Sequence, residues 1–347
     1  MLIKFSKPAK GLIAHKNGFF HKNDELKEIE LLENSIYRKQ PKRIKCKNCE
    51  ANLKEASFEK QGIKYTFCHR CEHLNGLHDD TDEFHQAIYG EGTSNAYDAL
   101  MNDVNLEAYL QRREDIYRPK LDFLFEALEE VGEPKERLSY VDFGAGEGHF
   151  VSAMQEAGLA NCCGYEVSKA RVALPHRLGL NVRVNLCDFG EINELARTVN
   201  ADVVSLLGVL EHVQKPRELL ESFLENRRVR YLYIAIPVFS LSVFLEIAFP
   251  TVAYRQLTSG HTHLYTERSI NWLCKHYNLK PIAEWWFGTD FVDFFRSISI
   301  TLRQKEISDE MLSRWESIMN SSVDNLQACL DQKKMASELH MIVSTQK

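Results

Sequence analysis

The sequence lacks the features that mark proteins outside the ordinary globular class. It has no internal repeat and no low-complexity tract, which excludes solenoid and fibrous architectures. Its first twenty residues scatter lysines among apolar residues, unlike the continuous apolar region of a secretory signal. The 347 residues are 44% hydrophobic and 27% charged, which predicts one large core and a small appended module. We therefore expect a cytoplasmic globular protein.

An uninterrupted membrane-spanning run is also missing. The most apolar stretch, residues 231–254, is long enough to cross a bilayer but contains Pro237, Glu246 and Pro250, which fit a spanning helix poorly. We interpret it as a buried strand followed by a lid over residues 238–260. A lid surface that contacts a lipid-linked substrate at a membrane stays open as an alternative.

A strong overall charge is absent as well. The net charge of -6 gives no general attraction to nucleic acid or anionic membrane. Residues 38–47 nevertheless carry six basic side chains and no acid. This run predicts a solvated basic face, with contact to phosphate as the alternative.

Four of the nine cysteines have the spacing of a metal site. Cys46, Cys49, Cys68 and Cys71 form two C-x2-C pairs separated by eighteen residues. Two such knuckles joined by a hairpin can present four thiolates to one tetrahedral zinc ion, and structural disulfides are the weaker interpretation in a reducing compartment. We predict a zinc ribbon over residues 41–78, in which a closed four-thiolate site stabilises the fold and performs no chemistry.

A glycine-rich segment, YVDFGAGEGHF, occupies residues 140–150. Gly144, Gly146 and Gly148 allow a sharp strand-to-helix turn and close approach of the backbone to a ligand. The third glycine comes one residue too early for the dinucleotide pattern G-x-G-x-x-G, and His149 stands in its place. The loop therefore predicts a nucleotide-like cofactor other than a nicotinamide dinucleotide.

The surrounding motifs resemble the class I S-adenosylmethionine-dependent methyltransferases. Asp142 precedes the loop as in that family's first motif, acid-x-G-x-G-x-G, and later segments resemble its second, third and fourth strands in order and spacing. Those segments are CGYE at 163–166, VRVNLCDF at 182–189 and ADVVSLLGVLEHVQKP at 201–216. The resemblance implies an α/β Rossmann-like sheet of seven mostly parallel strands with an antiparallel last strand.

The same resemblance implies the cofactor site. Glu166 would bind the ribose hydroxyls of S-adenosylmethionine, and Asp188 would contact the adenine amino group. The full set of implied cofactor-binding residues is Asp142, Gly144, Ala145, Gly146, Gly148, Glu166, Val167, Asp188, Phe189 and Gly208.

The chain divides into four predicted regions. Residues 1–40 form an amphipathic lead-in, 41–78 the ribbon, 79–137 a linker with helices, and 138–347 the cofactor domain. Within the cofactor domain, strands are expected at 138–144, 161–166, 181–186, 202–207, 230–236 and 279–287, with an edge strand at the end of the chain. Helical spacing over 291–338 predicts an insertion before that last strand.

Methyl transfer to a hydroxyl needs a base to remove a proton, and histidine suits this work because its pKa lies near neutrality. His212, His261 and His263 fall in loops where a Rossmann-like sheet binds its ligands. Glu211 accompanies His212 and often shapes the cofactor pocket in similar enzymes. Asp290 follows Trp285 and Trp286, whose rings could stack on a sugar while the Asp290 carboxylate binds the sugar hydroxyls. Core packing is an equal alternative for the two tryptophans.

The whole chain resembles bacterial methyltransferases of sugar and surface-polysaccharide modification. That resemblance implies an oxygen or carbon of a nucleotide-linked sugar as acceptor. Two alternatives stay open: an RNA or protein methyltransferase that uses the ribbon to bind its substrate, and a noncatalytic partner platform. A homo-oligomer is compatible with the sequence.

Overall fold

A computed structural model describes residues 1–9, 13, 18–89, 105–253, 255–257 and 260–345. Its strands are β1 (Leu2–Phe5), β2 (Phe58–Lys60), β3 (Ile63–Phe67), β4 (Leu74–Gly76), β5 (Tyr140–Phe143), β6 (Cys162–Glu166), β7 (Val184–Leu186), β8 (Val203–Leu207), β9 (Tyr231–Pro237), β10 (His263–Leu264), β11 (Lys280–Phe287) and β12 (Glu338–Ser344). They form an eight-stranded sheet of order β1-β11-β12-β9-β8-β5-β6-β7 and a four-stranded sheet of order β10-β4-β3-β2.

Helices cover both faces of the large sheet, and others pack against the small sheet. The described helices are α1 (Gly18–His21), α2 (Asn23–Tyr37), α3 (Asp82–Tyr89), α4 (Leu106–Arg112), α5 (Arg118–Glu130), α6 (His149–Glu156), α7 (Lys169–Arg177), α8 (Ile192–Thr198), α9 (Pro216–Glu225), α10 (Leu241–Ala248), α11 (Glu267–His276), α12 (Asp290–Gln304) and α13 (Asp309–Asp331). A π-helical turn, Arg113–Tyr117, joins α4 to α5, and 3-10 turns occupy Lys135–Arg137 and Phe189–Glu191. Within the described residues, no helix has the length and apolarity needed to cross a bilayer.

The parallel centre of the large sheet follows from sequence. β5 and β8 are buried along almost their whole length and are apolar except for Asp142 and Ser205, as expected for strands that are covered on both faces. One apolar cluster packs α8, α9 and α11 on one face, and a second packs α5 and α6 on the other. This layering confirms the predicted α/β Rossmann-like fold. Thr266 caps α11 in a capping box with Ser269.

The edge of the sheet differs from prediction in two ways. Leu2–Phe5, expected as part of an amphipathic lead-in, adds an eighth strand parallel to β11. The final strand β12 is antiparallel as predicted, but it lies between β11 and β9 and not at an edge. Both pairings join segments far apart in the chain, which local sequence pattern does not reveal.

The ribbon is built into the rest of the protein. Its hairpin β2–β3 turns at Gly62, which has a φ of +77°. The fourth strand of its sheet, β10, comes from the segment after the lid and pairs antiparallel with β4. Residues 41–78 therefore do not complete the small sheet by themselves. Part of the predicted linker, residues 90–104, and lid residues 254, 258 and 259 lie outside the described residues.

Asp290, predicted as a substrate-binding carboxylate, instead joins the lid to the helical insertion. It is fully buried at the start of α12. Its carboxylate accepts hydrogen bonds from the Ser240 hydroxyl at 2.5 Å, the Ser242 amide at 3.0 Å and the Ser337 amide at 3.0 Å. Trp285 and Trp286 are likewise buried in the core. This corrects the predicted sugar-stacking role, because none of the three side chains is available to a ligand.

Replacing Asp290 should destabilise the fold. Asp290→Ala leaves several buried donors without an acceptor, so we expect the free energy of unfolding to fall by about 2–4 kcal/mol. Asp309→Ala, at an exposed first-turn position of α13, is the matched control and should change stability by less than about 0.5 kcal/mol. Urea denaturation of both variants measures the difference. Equal stability of the two variants would contradict the structural role.

Candidate active site

A cavity of about 920 Å³ lies at the carboxyl ends of β5, β6, β8 and β9. Ligands of open α/β sheets bind at this end of the strands. Several of the predicted cofactor and catalytic residues line it together. They are Gly144, Glu166, Val167, Phe189, Gly208, Glu211, His212 and His261.

The glycine loop follows β5 directly. Gly144 and Gly146 have φ values of +69° and +55°, which only glycine adopts without strain. A Cβ atom on Gly146 would meet nothing within 4 Å, so open space lies beside this backbone. A Cβ on Gly144 would lie 2.7 Å from Val209, which excludes any side chain there. The amides of Gly144 and Ala145 both donate to the Tyr165 carbonyl, at 2.9 and 3.0 Å, and hold the loop beside β6.

Glu166 ends β6 and is held in place by backbone donors. Its carboxylate accepts hydrogen bonds from the amides of Gly146 at 2.8 Å, Val167 at 2.9 Å and Ser168 at 2.9 Å. These contacts fix the acid against the glycine loop at the cavity wall. A fixed carboxylate of this kind can accept hydrogen bonds from a pair of ribose hydroxyls.

Asp142 acts from within the sheet. It is buried on β5 and accepts a hydrogen bond from the Ser205 hydroxyl of β8 at 2.5 Å. Burial raises the pKa of Asp142 to about 7, although the Ser205 hydrogen bond opposes the rise. This carboxyl joins two strands below the loop and is not among the side chains that line the cavity. Asp142, which the resemblance places among the cofactor-binding residues, therefore contacts the neighbouring strand and not the cavity.

The third predicted motif lies at the rim. Asp188 is exposed and precedes the 3-10 turn that begins with Phe189. The Phe189 ring is 54% exposed, lines the cavity and lies 6.4 Å, between ring centroids, from His85 of α3. An exposed aromatic ring at a cavity rim offers a surface on which a planar base can stack.

Glu211, His212 and His261 form a cluster in the wall of the same cavity. Each residue offers one atom that could bind a metal, a ring nitrogen or a carboxylate oxygen, and these three atoms lie within 4.8 Å of one another. The centroids of the two imidazole rings are 4.7 Å apart. Nδ1 of His212 donates to the Gly260 carbonyl at 2.9 Å, and Nδ1 of His261 donates to the Gln256 carbonyl at 3.0 Å. A carbonyl can only accept, so the neutral rings carry their proton on Nδ1 and their lone pair on Nε2.

Burial governs the charge of this cluster. It raises the pKa of Glu211 to about 8 and lowers the pKa of His212 well below its ordinary value, with His261 adding to the effect on His212. At neutral pH a neutral His212 imidazole is therefore favoured. An uncharged imidazole with a lone pair can take a proton or bind a cation.

His263 lies outside the cavity, on β10, and this position corrects its predicted role as a base. It lies on β10, is fully buried, and its Nδ1 is 2.8 Å from Nε2 of His73 in the ribbon. It does not line the cavity. The His73–His263 contact belongs to the junction between the ribbon and the cofactor domain.

Sequence reasoning missed the side chains that connect the ribbon to the cavity. Lys47, which lies between Cys46 and Cys49 in the sequence, donates to the Val213 carbonyl at 2.9 Å and pairs with Asp80. Arg43 also binds Asp80, at 2.8 Å, and both basic residues are buried. This corrects the predicted solvated basic face for two of its six members. The acidic segment HDDTDEFH, next to the ribbon, was the available signal.

The four predicted metal ligands meet in one buried cluster. The sulfur atoms of Cys46 and Cys71 are 3.7 Å apart, and those of Cys49 and Cys68 are 3.4 Å apart. Tetrahedral zinc with bonds of about 2.3 Å separates its sulfurs by roughly 3.8 Å. The Asn75 amide donates to the Cys46 sulfur at 3.6 Å, as an outer-shell partner of a thiolate would. The donor set and its spacing fit zinc.

Solved structures with a similar fold are methyltransferases at low identity. The plantazolicin methyltransferase BpumL in complex with SAH is 13% identical, with a TM-score of 0.45 over 76% of this chain and 94% of that one. A putative sarcosine dimethylglycine methyltransferase from Galdieria sulphuraria is 13% identical, with a TM-score of 0.43 over 77% and 98%. Magnesium protoporphyrin IX methyltransferase from Synechocystis PCC 6803 is 16% identical, with a TM-score of 0.40 over 58% and 90%. No curated protein matches the sequence.

The family comparison is decisive. The family model described as a methyltransferase domain matches residues 109–284, just over half of the chain. The match includes the glycine loop, Glu166 and the Glu211–His212 pair. The chain belongs to this methyltransferase family, and the protein is an S-adenosylmethionine-dependent methyltransferase.

Proposed function

We propose that the enzyme methylates a hydroxyl of a small sugar-containing acceptor, such as a nucleotide-linked sugar, and that Glu211, His212 and His261 face the reacting oxygen. The observation that carries this proposal is one cavity whose wall contains both the predicted cofactor-binding residues Gly144 and Glu166 and the histidine cluster. Lys120, Arg171 and Arg255 also line it, and cationic side chains complement a phosphate-bearing acceptor.

S-adenosylmethionine supplies a methyl group that is already activated on a sulfonium. The chain has to bind that cofactor, align the acceptor oxygen behind the methyl carbon and receive the hydroxyl proton. We propose that Gly144, Gly146 and Glu166 hold the ribose side, while Asp188 and Phe189 bind the adenine. Nε2 of His212 or His261, with its lone pair, is the proposed proton acceptor.

We further propose that Cys46, Cys49, Cys68 and Cys71 hold a structural zinc ion. With all four positions of a tetrahedral ion filled by thiolates, this ion has no open position for a substrate. Its role is to fix the knuckle that carries Lys47 against the loop after β8.

The RNA alternative is weakened by the ribbon. Arg43 and Lys47 are buried in internal ion pairs with Asp80, so they are withdrawn from any phosphate backbone. Binding of single-stranded RNA that weakens steeply with salt would nevertheless favour that alternative over a sugar acceptor.

Filling the glycine loop should abolish cofactor binding. Gly146→Arg places a long side chain in the open space beside the loop and forces a positive φ on a non-glycine residue. We expect no calorimetric binding of S-adenosylhomocysteine, with zinc content unchanged. Gly158→Arg is the matched control, since Gly158 has a φ of +83° and an equally open Cβ direction but lies after α6. Normal binding by Gly146→Arg would refute the site.

Removing one cysteine should release the zinc. Cys68→Ser opens the tetrahedral site, and we expect metal analysis to find less than one zinc per chain and thermal unfolding to begin at a lower temperature. Cys329→Ser, which replaces an exposed cysteine on α13, should keep its zinc. A full zinc complement in Cys68→Ser would remove Cys68 from the ligand set.

Removing a proton acceptor should lower turnover more than cofactor affinity. His261→Ala should reduce kcat by roughly 10²-fold or more if His261 is the base, with little change in the Kd of S-adenosylmethionine. His176→Ala, at an exposed position of α7, should retain full turnover. If His261→Ala turns over normally, the role passes to His212.

A further inference from the structure

We propose that Glu211, His212 and His261 form a second metal site, which binds one divalent transition-metal ion within the cavity. The site is distinct from the four-cysteine cluster and presents the ion to the acceptor. The metal-binding part rests only on the geometry of these residues. The acceptor part rests on the proposed function.

The histidine geometry is that of metal ligands. Each ring donates its Nδ1 proton to a backbone carbonyl, Gly260 for His212 and Gln256 for His261. Metal-binding histidines are oriented by this kind of hydrogen bond, which leaves Nε2 as the ligand atom. With three ligand-type atoms already within 4.8 Å of one another, shifts of about an ångström would bring them to bonding distance from one ion.

Glu211 supplies the second, independent observation. Glu211 is buried, with only 4% of its surface exposed to solvent. Within the described part of the chain, its Oε2 atom has no hydrogen-bond partner. A buried carboxyl oxygen without a partner costs free energy, and a cation bound to that oxygen would recover it. The acid lines the same cavity as the two imidazoles, so one ion can satisfy all three groups.

The donor set selects the class of ion. Two imidazoles and one carboxylate suit Mn²⁺, Fe²⁺, Co²⁺ or Zn²⁺, whereas Mg²⁺ and Ca²⁺ prefer oxygen ligands alone. Three protein ligands leave coordination positions open, unlike the closed four-thiolate site. An acceptor with two adjacent hydroxyls, as sugars have, could occupy two of these positions through its oxygen atoms.

Coordination would change how the acceptor is activated. With the ion bound, His212 and His261 would serve as ligands, and water in the cavity would replace them as the proton acceptor proposed above. The ion would lower the pKa of a coordinated hydroxyl, which would then release its proton to that water. The oxygen lone pair forms the new oxygen–carbon bond, and the electron pair of the methyl–sulfur bond remains on sulfur. The products are the methyl ether and S-adenosylhomocysteine.

The test uses the zinc-loaded full chain and the electron paramagnetic resonance signal of free Mn²⁺. We expect the wild-type protein to remove one Mn²⁺ per chain from solution. Glu211→Gln and His261→Gln should each weaken Mn²⁺ binding by about tenfold or more, while zinc content and S-adenosylhomocysteine binding stay unchanged. His176→Gln, which removes an exposed imidazole, is the control for adventitious binding and should bind Mn²⁺ like the wild type.

Two results would overturn the proposal. One is absence of Mn²⁺ binding by protein that still binds S-adenosylhomocysteine, and the other is equal Mn²⁺ affinity in the wild type, Glu211→Gln and His261→Gln. Because Mn²⁺ binding is measured without an acceptor, the experiment tests the metal site independently of the proposed sugar substrate. Mn²⁺ binding as expected, with no methylation of any sugar, would leave the metal site standing and remove only the acceptor proposal.

Discussion

The buried ion pair between Lys47 and Asp80 is the contact on which the arrangement of this enzyme depends. Lys47 belongs to the first cysteine knuckle, and its ammonium reaches the carbonyl of Val213, one residue beyond His212. Burial lowers the pKa of Lys47 to about 8, partly offset by Asp80. Burial would raise the pKa of Asp80, but Lys47 and Arg43 outweigh it and hold that pKa well below its ordinary range. Loss of either member of such a pair typically costs about 3–5 kcal/mol, because it leaves a buried charge uncompensated.

This ion pair makes the ribbon part of the cavity wall. Asp80 also accepts a hydrogen bond from the Thr262 hydroxyl at 3.1 Å, and its Oδ2 lies 3.7 Å from Nε2 of His85, which lines the cavity. The backbone of Gly76 donates to the Thr262 carbonyl at 2.8 Å. The ribbon thus supports the loop after β8 and the segment that carries His261. We infer that its function is to hold this part of the cavity wall in shape.

Sequence predicted the parts of this protein that are encoded locally. The glycine loop, the apolar parallel strands and the cysteine spacing each carry their structure within a few residues. Long-range pairings were missed: Leu2–Phe5 is a short strand that finds its partner near residue 283, and His263 joins the ribbon sheet across almost 190 residues. Asp80 was assigned to the predicted linker, because the sequence alone does not distinguish an acid that is exposed to solvent from one that is buried in an ion pair. Its role is set by Arg43 and Lys47, which only the fold brings to it.

The central claim is that one cavity binds S-adenosylmethionine beside a histidine cluster supported by a zinc ribbon. Calorimetric titration of the zinc-loaded protein with S-adenosylmethionine and S-adenosylhomocysteine tests it most directly. The account predicts one molecule of either ligand bound per chain. A folded, zinc-loaded protein that binds neither would contradict the assignment of the cavity and favour a noncatalytic partner platform.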